Sequence, residues 1–154
     1  MELNNFSKNL FRLGFRENSS NKKNLLLTID YYTISITINT DNFLKSSINY
    51  GPKIKVHQSN ICDFSKQENL VQLECVIRLL RKGYKPNVIE LEKTYKLGHN
   101  EKGRLDIYIS REGRCWGMIE CKTFGKEYED EKQKVLKNGG QIFSYFTQDR
   151  TAEV

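Results

Sequence analysis

The sequence lacks the cysteine and histidine spacings that hold structural zinc or a disulfide framework. It has four cysteines and two histidines, with no C-x-x-C pair and no Cys/His ligand pattern among them. We therefore expect reduced thiols and no zinc site.

Long apolar runs, targeting signals and nucleotide-binding loops are also missing. A membrane-spanning helix needs about 20 consecutive apolar residues, and no segment approaches that length. No signal peptide is recognisable, so we expect a cytoplasmic protein with no membrane partner. Without a Gly-x-x-x-x-Gly-Lys-Ser/Thr loop, ATP-driven movement and methyl transfer are not expected within these residues.

What the chain does have is a modest excess of positive charge. Its 154 residues suffice for one core, and 25 Lys plus Arg against 19 Asp plus Glu give a net charge of +6. This balance favours a polyanionic partner, and DNA is the partner we expect, although solubility alone would explain an excess of this size. Many of the basic residues fall in two groups: Arg78, Arg81, Lys82 and Lys85, and Lys122, Lys126, Lys132, Lys134 and Lys137.

Two neighbouring segments carry Asp, Glu and Lys at strand spacing. Residues 105–109 alternate apolar and polar side chains, which predicts a half-buried strand with Asp106 on its polar face. Glu120 and Lys122 point the same way, because residues two apart on a strand share a face. If the two strands form a hairpin centred on Gly113, Asp106 falls opposite Glu120, with Cβ atoms roughly 4.5–5.5 Å apart.

Two opposed carboxylates repel each other unless a cation lies between them. Mg²⁺ suits this role, with Mn²⁺ able to substitute, because it is held by one or two carboxylates plus water and substrate phosphate. The backbone carbonyl of Cys121 would add a third oxygen, and the Lys122 ammonium would orient a water and stabilise developing charge. Metal-assisted phosphodiester hydrolysis requires these groups. The alternative is a salt-bridge cluster on a solvated sheet face.

A further carboxylate lies on a predicted helix over residues 65–83. Ser65 to Glu68 fits a capping box, and Gly83 fits the C′ position. Glu74 lies on the apolar stripe of this helix. Burying an unpartnered carboxylate costs several kcal/mol, so Glu74 either faces a polar or metal-containing site or lies at the edge of the stripe, paired with Arg or Lys.

Downstream, residues 138–140 separate two predicted helices. Gln141 and Tyr145 are four residues apart and therefore share a helix face, where they would hydrogen-bond a phosphate, a base edge or the carboxylates. A structural role for this pair is the alternative. The remaining apolar residues of the second helix are expected in the core: Ile142, Phe143 and Phe146.

In this order, the motifs resemble the PD-(D/E)XK nuclease superfamily, and more narrowly the N-terminal nuclease domain of type I restriction enzyme R subunits and related restriction-modification polypeptides. The resemblance covers roughly residues 65–149. The matching segments are residues 70–75, 92–99, 103–106, 119–123 and 138–146.

The resemblance implies an α/β fold with a restriction-endonuclease-like core, in which helices flank a central mixed sheet. We expect this core at residues 65–154, preceded by a β-rich N-terminal extension at residues 1–64. The implied activity is Mg²⁺-dependent DNA cleavage. By position, the implied site residues are Glu74 as the helical acid, Asp106 and Glu120 as metal-binding acids, Lys122 as the catalytic lysine, and Gln141 and Tyr145 as the Q-x-x-x-Y motif.

The chain departs from the superfamily at Leu105, where the name of the superfamily has Pro, but this change removes no ligand. The superfamily core normally has another strand after the Gln-Tyr helix, so we expect a fragment of a longer protein that continues into a motor or methyltransferase module. No element resembles a major-groove reader, so specificity modules would be separate. The alternative function is a catalytically inactive, nuclease-like DNA-binding or assembly module.

The N-terminal third carries no resemblance of this kind. A short helix is predicted over residues 5–13 and a polar connection over residues 14–23. Strands are predicted over residues 25–29 and 31–38, and a further short strand over residues 54–56. Asp30 is either a break between the first two or a polar residue within one continuous strand.

Overall fold

The computed structural model of the chain describes residues 3–96, 102–149 and 151. Within these residues the fold is mixed α/β, with four α-helices and two four-stranded sheets. The end of the matching segment over residues 92–99 lies outside the described residues. None of the helices in the described ranges has the length and apolar character needed to cross a membrane.

The chain forms two compact units, and each is discontinuous in sequence. The first comprises Met1–Lys53 and Ser59–Tyr84, and the second comprises Ile54–Gln58 and Lys85–Val154. The division therefore falls elsewhere than the predicted boundary between residues 64 and 65.

The first unit contains two helices and an antiparallel sheet with the strand order β1-β2-β3-β4. Its elements are α1 (Leu3–Leu13), β1 (Arg16–Asn18), β2 (Asn21–Ile29), β3 (Tyr32–Thr37), β4 (Ser47–Asn49) and α2 (Gln67–Arg81). The predicted helix and both predicted strands of this region are confirmed. The predicted polar connection over residues 14–23 is wrong, because Arg16 to Asn18 pairs with β2 as a strand.

The hairpin between β2 and β3 follows from its sequence. Ile34 and Ile36 are buried while Thr33 and Thr37 are exposed, which is the alternation of a strand with one covered face. Asp30 and Tyr31 have φ angles of 45° and 67°, the positive values that a two-residue type I′ turn requires. The predicted break at Asp30 is therefore this turn.

Helix α2 ends as the sequence predicts but begins differently. Gly83 has a φ angle of 87°, and Gly83 and Tyr84 donate backbone hydrogen bonds to Leu80 and Leu79, which is a Schellman motif. The predicted capping box is wrong, because the N-cap is Lys66, whose side chain makes no capping hydrogen bond. Ser65 instead donates its hydroxyl hydrogen to Asp63 Oδ1, at 2.6 Å.

The second unit contains a mixed sheet with the strand order β5-β6-β7-β8 and two helices. Its elements are β5 (Lys55–Val56), β6 (Ile89–Lys96), β7 (Lys102–Arg111), β8 (Arg114–Ile119), α3 (Lys126–Asn138) and α4 (Gly140–Gln148). β5 runs parallel to β6, and the other neighbours are antiparallel.

Two contacts explain why the units divide where they do. His57 donates its backbone N–H to Leu91 at 3.0 Å, extending the pairing of β5 with β6, so this short strand belongs to the second sheet. Helix α2 belongs to the first unit, where the Arg81 guanidinium donates to the carbonyl of Leu13 at the end of α1.

The core of the second unit only partly follows the predicted periodicity. Tyr145 anchors α4 in a cluster with Tyr95, Leu105 and Tyr108. Strict alternation along β7 is therefore wrong, because Leu105 and Tyr108 are three residues apart and lie in one cluster. The predicted burial of Phe143 is also wrong. Helix α4 packs on the sheet through Tyr145, and the side chain of Phe143 is 54% exposed.

Candidate active site

The hairpin of β7 and β8 brings Asp106 next to Glu120. Its strands pair in register from Arg111 with Arg114 to Ile107 with Ile119, and Asp106 and Glu120 occupy the next positions. Glu112 and Gly113 form the two-residue turn, with φ angles of 53° and 79°. The predicted hairpin is thus present.

A bulge in β8 sets this register. The tight turn alone would place Asp106 opposite the residue before Glu120, but the pairing shifts by one between Ile109 and Ser110, with Trp116 as the extra residue. The two carboxylates are opposed because of this insertion.

Asp106 is held by the main chain of the segment that carries Glu120. Its Oδ2 atom accepts a hydrogen bond from the backbone N–H of Cys121, at 2.6 Å. The side chain of Cys121 is buried, which fixes this backbone against the hairpin. The backbone of Cys121, whose carbonyl was the predicted third ligand, therefore lies beside Asp106.

Glu120 is buried and has one engaged carboxylate oxygen. Its side chain is 5% exposed, and Oε1 accepts a hydrogen bond from Lys122 Nζ at 3.0 Å. Oε2 is buried and has no hydrogen-bond partner within the part of the chain that the structure describes. An unpaired buried carboxylate oxygen is costly, and such atoms commonly mark a ligand or ion site.

The electrostatics of the site favour a proton or a cation at Glu120. Burial and the negative charge of Asp106 raise the pKa of Glu120 from 4.5 to about 7, against the opposing effect of Lys122. At neutral pH this carboxylate is therefore close to half protonated, and a bound cation would compete with the proton.

Gln141 and Tyr145 fasten α4 to β7. The Tyr145 hydroxyl donates to the carbonyl of Arg104 and accepts from its N–H, both at 3.0 Å. It also accepts from the side-chain amide of Gln141. The ladder between β7 and β8 begins only at Ile107, so the hydroxyl satisfies backbone groups of Arg104 where the neighbouring strand is missing. With one donated and two accepted bonds, the hydroxyl is saturated.

The corner between α3 and α4 brings a further acid towards the site. Glu131 Oε1 accepts the backbone N–H of Gln141 at 2.9 Å, and the negative charge of Glu131 also raises the pKa of Glu120. A Cβ atom at Gly140 would lie 2.7 Å from Glu131 Oε1, so a side chain there would displace this carboxylate. A glycine at this corner permits the close approach.

Sequence reasoning missed Glu92 on β6. Glu92 falls between the register pairs Leu91 with Ile107 and Lys93 with Leu105, and so lies across from Asp106. It is 2% exposed and has a φ angle of 59°, a left-handed conformation that costs roughly 1–3 kcal/mol in a non-glycine residue. Because Glu90 and Glu92 both fall at polar positions of an alternating strand, the sequence carries no signal for this burial.

Glu74 lies in the first unit and is not among the residues that the second unit brings together. It pairs with Arg78 one helical turn away, and its side chain is 40% exposed. This matches the structural alternative considered for Glu74, a stripe-edge position with an ion pair. It also lines a groove of about 490 Å³ between α1 and α2, together with Arg12, Arg78 and Arg81.

The residues of the second unit fit a hard divalent cation through Asp106 and Glu120. The orphaned Oε2 atom of Glu120 and the neighbouring Asp106 are oxygen donors, which Mg²⁺ prefers. Over the described ranges, no three His, Cys, Asp or Glu side chains gather closely enough to hold a metal alone. Any Mg²⁺ would therefore depend on backbone, water or substrate oxygens as well.

No protein-family model, curated protein or solved structure matches this chain. The resemblance to the nuclease superfamily therefore depends on the motif residues themselves.

Proposed function

We propose that this chain is a Mg²⁺-dependent DNA endonuclease domain of a type I-like restriction-modification enzyme, with a restriction-endonuclease-like core in its second unit. The observation that carries the proposal is the closeness of Asp106 and Glu120, which follow the last pair of the hairpin and interact electrostatically, with Lys122 bonded to Glu120. A salt-bridge cluster on a solvated face explains this less well, because the Glu120 side chain is 5% exposed and its Oε2 atom is unpartnered among the described residues.

Asp106, Glu120 and the backbone carbonyl of Cys121 would hold the metal. Bound Mg²⁺ would supply Lewis-acid stabilisation of charge on the phosphate oxygens. The ionised form of Glu120 is the one that binds a cation, so its raised pKa makes the occupancy of the site dependent on pH.

Lys122 is the proposed catalytic cation. Its side chain is 21% exposed, so its ammonium is within reach of solvent while it contacts Glu120. In this position it would orient the attacking water and stabilise negative charge on the phosphate.

Gln141 and Tyr145 act as positioning residues in this proposal. All hydrogen-bonding positions of the Tyr145 hydroxyl are used by Arg104 and Gln141. The hydroxyl therefore holds β7 in place two residues before Asp106 and does not bind substrate. Glu74 belongs to the first unit and pairs with Arg78, so its role as the helical acid depends on the resemblance alone.

DNA is the proposed substrate, and the net charge of +6 supports a polyanionic ligand. A motor or methyltransferase module and a specificity module would act with this domain.

The experiment that tests the proposal is nicking of supercoiled plasmid by the purified chain with Mg²⁺ or Mn²⁺, beside an EDTA control. Lys122→Ala should abolish nicking. Lys137→Ala removes the same charge from an exposed position on α3 and should retain it. Nicking that survives in Lys122→Ala would overturn the assignment. DNA binding without any nicking by the unaltered chain would favour the alternative, an inactive binding or assembly module.

A further inference from the structure

Arg104 is held at both its backbone and its side chain next to the proposed site. Its backbone N–H and carbonyl both bond to the Tyr145 hydroxyl. Its guanidinium Nε lies 2.6 Å from Glu92 Oε2. Since Arg104 precedes Asp106 by two residues on β7, their Cα atoms are roughly 6–7 Å apart.

The two partners of this ion pair differ strongly in exposure. The Glu92 side chain is 3% exposed and that of Arg104 is 41% exposed. The buried carboxylate therefore contacts the Nε edge of the guanidinium, on a side chain that is otherwise well exposed. Arginine carries five N–H donors in a planar fork, so it can bind one anion on each edge.

The other contact of this side chain is long. Nη1 lies 3.4 Å from Gln58 Oε1. Within the described part of the chain, the contacts of the guanidinium are thus the ion pair at Nε and the hydrogen bond at Nη1, and neither involves the N–H groups of Nη2. The two N–H groups of Nη2 diverge, so a bidentate phosphate contact would combine one of them with the adjacent N–H of Nη1, whose contact with Gln58 is long.

The backbone of β6 is distorted where it supplies this support. Leu91 and Glu92 are consecutive and both buried, so the strand alternation breaks at Glu92, where φ is 59°. This break places a carboxylate inside, where it meets Arg104. In a regular strand, Glu92 would point to the opposite face from Leu91 and would not be buried beside it.

We infer that Arg104 binds a phosphate of the DNA backbone next to the cleaved one, and that Glu92 is the positioning residue that fixes its guanidinium. This inference deepens the proposed function, because it names a substrate-binding residue of the same site. It does not depend on the metal, so binding without cleavage tests it separately.

The test is binding of a short fluorescent DNA duplex in EDTA, measured by anisotropy over a range of salt concentrations. Arg104→Ala should weaken binding about tenfold, as expected for loss of a charge-assisted contact. The slope of log K against log salt should fall in magnitude by about 0.9, the value of one phosphate contact. Arg111→Ala removes the same charge near the far end of the same strand, where Arg111 stacks on Trp116, and should change neither quantity much.

Arg104→Lys separates phosphate binding from a purely structural ion pair. A lysine keeps the charge beside Glu92, so the thermal midpoint should remain near that of the unaltered chain. Its single ammonium cannot present two edges, so DNA binding should still weaken several-fold.

Each outcome bears on the inference. Unchanged affinity and salt slope in Arg104→Ala would overturn it, as would full binding by Arg104→Lys or failure of the unaltered chain to bind the duplex. An unaltered chain that binds through Arg104 but never nicks DNA would support the inference and count against endonuclease activity. If Arg104→Ala still nicks DNA and its salt slope is unchanged, the result would support endonuclease activity and overturn the inference about Arg104.

Discussion

The Oδ2 atom of Asp106 accepts a 2.6 Å hydrogen bond from the backbone N–H of Cys121. This bond connects β7 to the chain just beyond β8, which ends at Ile119. The position of Asp106 is therefore set by the polypeptide itself. A side chain that keeps one carbonyl oxygen at this place should keep the geometry while losing the charge.

Asp106→Asn should accordingly remain folded and lose metal-dependent nicking by at least about a hundredfold, because an amide oxygen is a weaker ligand for Mg²⁺ than a carboxylate. Plasmid nicking and DNA binding in EDTA should be measured together. Asp130→Asn, on the exposed surface of α3, is the matched control. Equal nicking rates for the two variants would remove Asp106 from the site.

Glu120→Gln should change how stability depends on pH. The pKa of Glu120 is about 7 in the folded chain against an ordinary value of 4.5, so the folded chain binds more protons between these values. The contribution of Glu120 to the free energy of unfolding is thus fully present below pH 4.5 and is lost as the pH rises through 7. The total loss is about 3 kcal/mol. The Gln variant lacks this loss, so it should unfold at higher urea concentration than the unaltered chain at pH 8 and at a similar one at pH 5.

The control for this prediction is Glu129→Gln, because Glu129 is 55% exposed. Its stability should follow that of the unaltered chain at both pH values. If Glu120→Gln destabilises the chain at pH 8, the burial cost assigned to the ionised carboxylate is wrong.

Mg²⁺ should stabilise the folded chain more at pH 8 than at pH 6. The proton and the cation compete for Glu120, and a ligand that binds only the folded state raises the thermal midpoint. Differential scanning fluorimetry with and without Mg²⁺ measures this shift. The same shift in Glu120→Gln would show that the ion binds somewhere else.

Tyr145→Phe should destabilise the chain by roughly 1–3 kcal/mol, because it leaves the backbone N–H and carbonyl of Arg104 without their partner. Urea unfolding gives the change directly. The matched control is Tyr128→Phe, since Tyr128 is 42% exposed on α3 and should lose little stability. Equal stability of both variants would mean that water replaces the Tyr145 hydroxyl at no cost.

Gly139→Ala should cost more than Gly83→Ala, although both glycines follow a helix with similar φ angles of 83° and 87°. A Cβ atom at Gly83 meets nothing within 4 Å, so that variant pays only the left-handed backbone penalty of about 1–2 kcal/mol. At Gly139 the new Cβ would overlap the Cβ of Phe143, and relieving the overlap should add about 1–3 kcal/mol. Thermal unfolding of both variants tests the difference, and similar losses would exclude the overlap.

Sequence periodicity predicts the hairpin well because its signals are local. Alternation, a polar turn with a glycine and the two-residue spacing of Glu120 and Lys122 depend on neighbouring residues only. The glycine breaks after α2 and α3 are predictable for the same reason, since few other residues accept positive φ angles.

The missed features depend on distant partners. Glu92 occupies a polar position of its strand, and it is buried because the strand alternation breaks at its left-handed backbone, where its carboxylate pairs with Arg104. The capping box at Ser65 fails because the helix begins one residue later, with Lys66 as its N-cap. Phe143 is outside the core because the Tyr145 hydroxyl makes three hydrogen bonds, and these orient the Tyr145 side of α4 towards the sheet.

The short strand β5 determines where the chain can be shortened without exposing an edge of the second sheet. A polypeptide that starts at residue 65 would contain the proposed catalytic residues but not Lys55 and Val56, which pair with Glu90 and Leu91. The outer edge of β6 would then carry unpaired backbone groups, and such edges recruit strands from other molecules. Shortening the chain to residues 65–154 would therefore favour aggregation, although all the proposed catalytic residues are kept.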